Sequence, residues 1–168
     1  MRFLKFISSE RLGLLLVGLV AAVSVSAQTA VSPAAFPVGL GPEGVIIDGA
    51  SVFVANQFSN TVTKLNASDG AVVGTYTVGH RPVALAFDGA FVWVANYLGN
   101  TVMKLDPASG VIMGTYAAGD GPGGLLVTNG NVWVANRGSN TVTKLRAADG
   151  VTLGTFEVGT RPIAMATD

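Results

Sequence analysis

The chain has 168 residues, 49% of them hydrophobic and only 12% charged, with a formal net charge of +0. It is too apolar for disorder and has the length of one ordinary domain. No cysteine is present, which excludes disulfides, thiolate zinc sites and thiol nucleophiles. No Lys/Arg patch occurs, which argues against nucleic acid as a partner.

The first predicted element is a targeting segment. Arg2 and Lys5 open a positive stretch, residues 12–25 form an apolar run, and Val25-Ser26-Ala27 supplies small residues before Gln28. This is the three-part pattern of a secretory signal peptide. The run is shorter than the roughly 20 residues needed to span a bilayer. We expect residues 1–27 to be removed, residues 28–35 to be a short linker, and the mature chain to be exported, periplasmic or extracellular, with no membrane attachment after cleavage. The remainder carries 7 basic and 9 acidic residues.

From residue 36 onward the sequence repeats with a period of 40. Val52-Phe53-Val54-Ala55-Asn56 returns as Val92-Trp93-Val94-Ala95-Asn96 and Val132-Trp133-Val134-Ala135-Asn136. Asn60-Thr61-Val62, Lys64-Leu65 and Gly74-Thr75 recur at the same offset, and Pro42, Pro82, Pro122 and Pro162 mark the joints. A fixed period without slippage signals a repeat architecture. The units are 42–81, 82–121, 122–161 and a partial 162–168.

Within one unit, residues 83–87 read as a short apolar strand a, and Asp88-Gly89 as a turn. Residues 91–95 read as strand b, rich in aromatic and β-branched side chains. Residues 101–105 read as strand c, followed by the turn cluster Asp106-Pro107-Ala108-Ser109-Gly110. Residues 111–117 read as strand d, interrupted by Gly114. This is an antiparallel meander. Strand b is apolar throughout, so both its faces need cover. Stacked copies of the unit supply that cover, and radial stacking of four-stranded sheets makes a β-propeller. The fold expected is all-β, built of propeller blades.

The motifs Val-Phe/Trp-Val-Ala-Asn, Ser/Gly-Asn-Thr-Val, Lys-Leu, Asp/Ser-Gly, Gly-Thr and Val/Ala-Gly-x-x-Pro resemble those of the YVTN-type β-propeller repeats over about residues 36–168. More distantly, the chain resembles the virginiamycin B lyase-like and NHL-like propellers. The lyase resemblance implies clustered histidine and glutamate with a magnesium ion. Here His80 is the only histidine, and Glu43 and Glu157 are the only glutamates after residue 27. The resemblance therefore carries over no catalytic residue, no metal ligand and no cofactor.

Residues 36–39 align with the end of a d strand, and residues 161–168 begin a fourth unit that stops inside its a–b turn. Closed propellers have typically about 4–8 blades. We therefore expect an incomplete, open propeller of three blades plus part of a fourth, a fragment of a longer gene product. The alternatives are assembly with a second copy and an open arc.

Two G-x-G-x-x-G strings, at 39–44 and 119–124, precede strands rather than helices, which argues against a dinucleotide site. Asp-Gly pairs at Asp48, Asp69, Asp88, Asp120 and Asp149 are turn chemistry. Asn66-Ala67-Ser68 fits a glycosylation sequon that is common by chance. Asn56, Asn96 and Asn136 are expected to cap the b–c turns by bonding nearby backbone. Trp93 and Trp133 are expected to pack blade against blade. The units differ most in the b–c turns and the d–a joints, which share one face of a propeller. Phe58, Tyr97, His80, Arg81, Arg137 and Arg161 form a candidate binding rim there, with plain solvated loops as the alternative. The function expected is a non-catalytic binding or scaffolding module for a protein, a peptide or an envelope polymer. The alternative is a propeller enzyme, a lyase or hydrolase, whose catalytic residues lie in missing blades.

Overall fold

The computed structural model describes residues 35–167. The signal and linker readings therefore lie outside the described residues, apart from Ala35. The described part is twelve strands in three four-stranded antiparallel sheets, each in simple sequential order. The first sheet is β1 (Pro42–Ile47), β2 (Ser51–Asn56), β3 (Thr61–Asn66) and β4 (Val72–Thr77). The second is β5 (Pro82–Phe87), β6 (Val92–Asn96), β7 (Thr101–Leu105) and β8 (Ile112–Ala117). The third is β9 (Pro122–Thr128), β10 (Asn131–Asn136), β11 (Thr141–Arg146) and β12 (Thr152–Glu157). Each sheet is one 40-residue unit, so the repeat is the blade. Among the described residues no helix is long and apolar enough to cross a membrane.

The strand boundaries expected from sequence are off by a residue in places. Strand b of the second blade ends on Asn96 rather than Ala95, because Asn96 pairs with both Pro82 and Thr101. The two flanking half-units form no ladder: residues 36–39 and 162–167 are not strands. A strand is defined by its pairing, and among the described residues neither segment pairs with a strand.

The blades stack through their broad faces. Phe53, Ala55, Val62 and Val78 of the first blade pack on Leu85, Val92, Val94 and Leu105 of the second. Trp93 and Val102 of the second pack in the same way on Val132, Val134 and Leu145 of the third. Phe53 and Trp93 are fully buried, and Trp93 packs between blades as expected, whereas Trp133 is only half-buried and lies against Phe156 of its own blade. The first strands of neighbouring sheets, β1 with β5 and β5 with β9, also touch, so they lie on the side where successive blades meet. The outer strands β4, β8 and β12 are largely exposed. Each carries a one-residue bulge, seen where Lys104 faces Gly114 but Leu105 faces Ile112. The bulge twists the free edge and blunts it as a template for further pairing.

Two devices tie blade to blade at the outer side. The ring of Tyr76 lies against Gly110 of the next blade, and Tyr116 lies against Gly150. Phe36, ahead of the first blade, sits against Gly70 in the same way. These glycines have φ of +70° to +76°, where side chains are disfavoured. The second device is a lysine from strand c. Lys64 Nζ donates to the Pro107 carbonyl at 2.7 Å, and Lys104 Nζ to the Ala147 carbonyl at 2.7 Å. In both cases the acceptor is in the c–d turn of the following blade.

Candidate functional site

The rim is built from a hydrogen-bonded junction that recurs in every blade. Gln57 N–H donates to Gly41 O, Tyr97 N–H to Arg81 O and Arg137 N–H to Gly121 O. The b–c turn is thereby fixed to the d–a joint before it. The joint in turn is held by an asparagine at the start of strand c. Asn60 Oδ1 accepts from Arg81 N–H at 2.8 Å, Asn100 Oδ1 from Gly121 N–H at 3.0 Å and Asn140 Oδ1 from Arg161 N–H at 2.8 Å.

Asn56, Asn96 and Asn136 are completely buried beneath this junction. Their Nδ2 groups donate to threonine hydroxyls of strand c rather than to backbone, which corrects the expectation of a turn cap. Asn136 reaches Thr141 Oγ1 at 3.0 Å and Thr143 Oγ1 at 2.8 Å. Asn96 reaches only Thr101 Oγ1, at 3.2 Å, because Met103 replaces the second threonine. Being buried, the amide seeks the nearest fixed acceptor, and strand pairing sets those hydroxyls beside it.

The joint position alternates between Gly41, Arg81, Gly121 and Arg161. All four have positive φ, at 66°, 56°, 60° and 54°. Glycine adopts this conformation without cost, whereas a side chain there costs about 1–2 kcal/mol. Arg81 and Arg161 hold it against that cost, and such residues concentrate at functional sites. Arg81 is further positioned by its neighbours. Its Nε donates to Gln57 Oε1 at 3.0 Å, and its guanidinium lies 5.2 Å from the Tyr97 ring centroid.

Arg81, Tyr97 and Arg137 line one cavity of about 320 Å³ together with Glu43, Val83, Gly123 and Ile163. The other three rim residues lie outside it. Phe58 is 67% exposed against Gly41, and His80 and Arg161 are exposed. Glu43, Val83, Gly123 and Ile163 were not among the residues singled out from the sequence. They share one repeat position, directly after the joint prolines. In the second blade Pro82 pairs with Asn96 and Ala84 with Ala95. Val83 is therefore the extra residue of a β-bulge, and the same slip occurs in β1 and β9. Bulges re-aim side chains beside binding sites. The available signal was that this position varies from Glu to Val to Gly to Ile inside a fixed frame.

Among the described residues Glu43 forms no ion pair with Arg81 or Arg137, and Arg137 Nε is buried without a hydrogen-bond partner. No group of three His, Cys, Asp or Glu side chains that could hold a metal ion occurs among the described residues.

No family model and no curated protein matches the chain. Solved structures do. Kuenenia stuttgartiensis hydrazine synthase aligns with a TM-score of 0.71 at 24% identity, over 77% of this chain and 40% of that one. The computationally designed Ika4 protein aligns with a TM-score of 0.71 at 12% identity, over 79% of this chain and 82% of that one. The WD40 repeats of RRP9 align with a TM-score of 0.65 at 14% identity, over 72% of this chain and 40% of that one. The chain thus spans about 40% of the length of hydrazine synthase and of the RRP9 repeats. Likeness at these identities concerns fold alone. WD40 repeats are propeller blades of four-stranded sheets, and the three sheets described above are of that kind: the chain is a β-propeller repeat module.

Proposed function

We propose that the protein is an exported YVTN-type propeller module that binds a protein, peptide or envelope polymer through its b–c turns and d–a joints. The observation that supports this reading is a contrast within the repeat. The buried Asn56, Asn96 and Asn136 and the strands around them keep one arrangement in all three blades. The rim residues on the same frame change from Gln57 to Tyr97 to Arg137 and from Gly41 to Arg81 to Gly121. Rigid scaffolds carrying variable loops are how binding surfaces are built. Arg81, Tyr97 and Arg137 come from one joint and two turns yet meet in one cavity. Export rests on the amino-terminal pattern alone.

The test is affinity capture from an envelope extract, using the wild-type full chain and a Tyr97→Ala/Arg137→Ala double variant. The expected result is a partner recovered by the wild type and lost by the variant at equal folded content. Equal recovery by both overturns the rim reading. Sequencing the amino terminus of the exported product checks the export reading, with Gln28 expected first.

A further inference from the structure

The cavity holds an unusual combination of groups. Arg137 Nε is buried and unpartnered among the described residues. A buried, unpaired donor costs about 1–3 kcal/mol, and more when it is charged, and Arg137 lines the cavity, so an anion on its guanidinium offsets part of that cost. Arg81 uses its Nε on Gln57 and lies over the Tyr97 ring. That leaves its four other N–H donors, on a guanidinium whose position is already fixed. A carboxylate, with two coplanar oxygens, matches a guanidinium fork.

The remaining lining narrows the ligand class. Glu43 shares the cavity with the two arginines, which leaves one formal positive charge. A monoanion satisfies that balance, whereas the dianion of phosphate meets the Glu43 carboxylate as a like charge. Val83 and Ile163 supply an apolar wall. Gly123 supplies space, since a Cβ added there would meet nothing closer than 3.8 Å. A cavity of about 320 Å³ lies at the small end of ligand sites.

We propose that this cavity binds an organic carboxylate. Its two oxygens sit on Arg137 and Arg81, and its apolar body rests on Val83 and Ile163. The proposal rests on the rim reading above and gives that rim its ligand chemistry. A free organic acid and the terminal carboxylate of a peptide present the same group.

The experiment titrates the full chain with four probes at constant ionic strength. They are benzoate, inorganic phosphate, a short apolar peptide with a free carboxy terminus, and the same peptide as its amide. The readout is the shift of the Arg81 Nε–Hε and Tyr97 backbone amide resonances, both of which line the cavity and are kept in every variant titrated. The expected result is a saturable shift with benzoate or with the free-acid peptide, and affinity for phosphate about tenfold weaker. Of the two carboxylates, the tighter binder identifies the source. The peptide is the source only where its amide fails to bind. Arg137→Lys keeps the charge but loses the fork, and weakens carboxylate binding about tenfold. Gly123→Val fills the cavity without touching charge and abolishes the shift. No saturable shift, phosphate binding as tightly as carboxylate, or unchanged affinity in Arg137→Lys overturns the proposal. Failure here with capture still lost in the Tyr97/Arg137 double variant overturns the carboxylate chemistry alone. Unchanged capture overturns the rim reading itself.

Discussion

The strand-c lysines offer a test in which one substitution, made three times, must give three different answers. Lys104 is only 5% exposed. Its Nζ donates to the Ala147 carbonyl at 2.7 Å and the Ala148 carbonyl at 3.3 Å. It also lies 4.2 Å from the Phe91 ring centroid and 5.2 Å from that of Trp93. Lys104→Met keeps the stem and removes the charge. The loss is the charge-assisted bonding to carbonyls of the next blade, about 1.5–3 kcal/mol, plus a cation–π contribution of about 0.5–2 kcal/mol. The variant also escapes the cost of burying an ammonium, which offsets part of this. The net expectation is a loss of about 2–3 kcal/mol. Lys64 makes one such bond and lies 5.5 Å from Phe53, so Lys64→Met costs about 1–2 kcal/mol. Lys144 has the Trp133 ring at 4.9 Å and no carbonyl partner among the described residues, so Lys144→Met costs less than about 1 kcal/mol. Urea unfolding of the full chain, followed by circular dichroism, gives the three differences. Equal losses at all three positions, or the largest at Lys144, would refute the claim that these lysines act by crossing to the next blade.

Two further outcomes follow from local geometry. Gly150 has φ of +76° and faces the Tyr116 ring, whereas Gly130 has φ of +70° and nothing within 4 Å of an added Cβ. Gly130→Ala should cost about 1–2 kcal/mol from backbone strain alone. Gly150→Ala should cost about 1–3 kcal/mol more from the displaced ring. Matching melting curves for the two variants would count against the aromatic latch. The Asp106 carboxyl is held below its ordinary value of 3.8, first by the Ser109 hydroxyl and then by the Ala108 N–H. A carboxylate lowered by folding stabilises the fold at pH above its ordinary value, and that contribution is lost as pH falls through the lowered one. Asp106→Asn should therefore be less stable than wild type at about pH 6, and the gap should narrow as the pH falls towards about 3. A gap that stays constant between those pH values contradicts the assignment.

The fold was legible because the unit cannot cover itself. Strand b is apolar on both faces, and nothing else in a 40-residue meander can bury two faces of one sheet. Repetition of the unit then leaves stacking as the way to bury them, and Phe53, Trp93 and Val94 are fully buried as that logic requires. Boundaries were less legible, since Asn96 belongs to strand b by its pairing with Pro82 and Thr101 and not by its polarity. The half-units misled for a similar reason. Residues 162–167 carry strand-like sequence, but a ladder needs a partner that the alignment of motifs does not supply.

The site divides along the same line. Arg81, Tyr97 and Arg137 could be found because turns tolerate variation, and variation inside an exact repeat stands out. Glu43, Val83, Gly123 and Ile163 vary just as much, yet they lie in or beside the first strand, where alternation of side chains is the rule used to assign faces. A bulge after each joint proline breaks that alternation, and no residue type announces it: Glu43, Val83 and Gly123 occupy the same extra position in turn. The bulge therefore gives the module two independent sets of variable positions around one cavity. The turn supplies charge and hydrogen-bond donors at the rim. The bulge residue sets the depth and polarity of the wall below it. The conserved junction of Asn60, Asn100 and Asn140 holds the two sets together. Changing Gly123 should thus alter which ligand fits without disturbing the blade, whereas changing Asn100 should disturb the joint, the turn and the cavity at once.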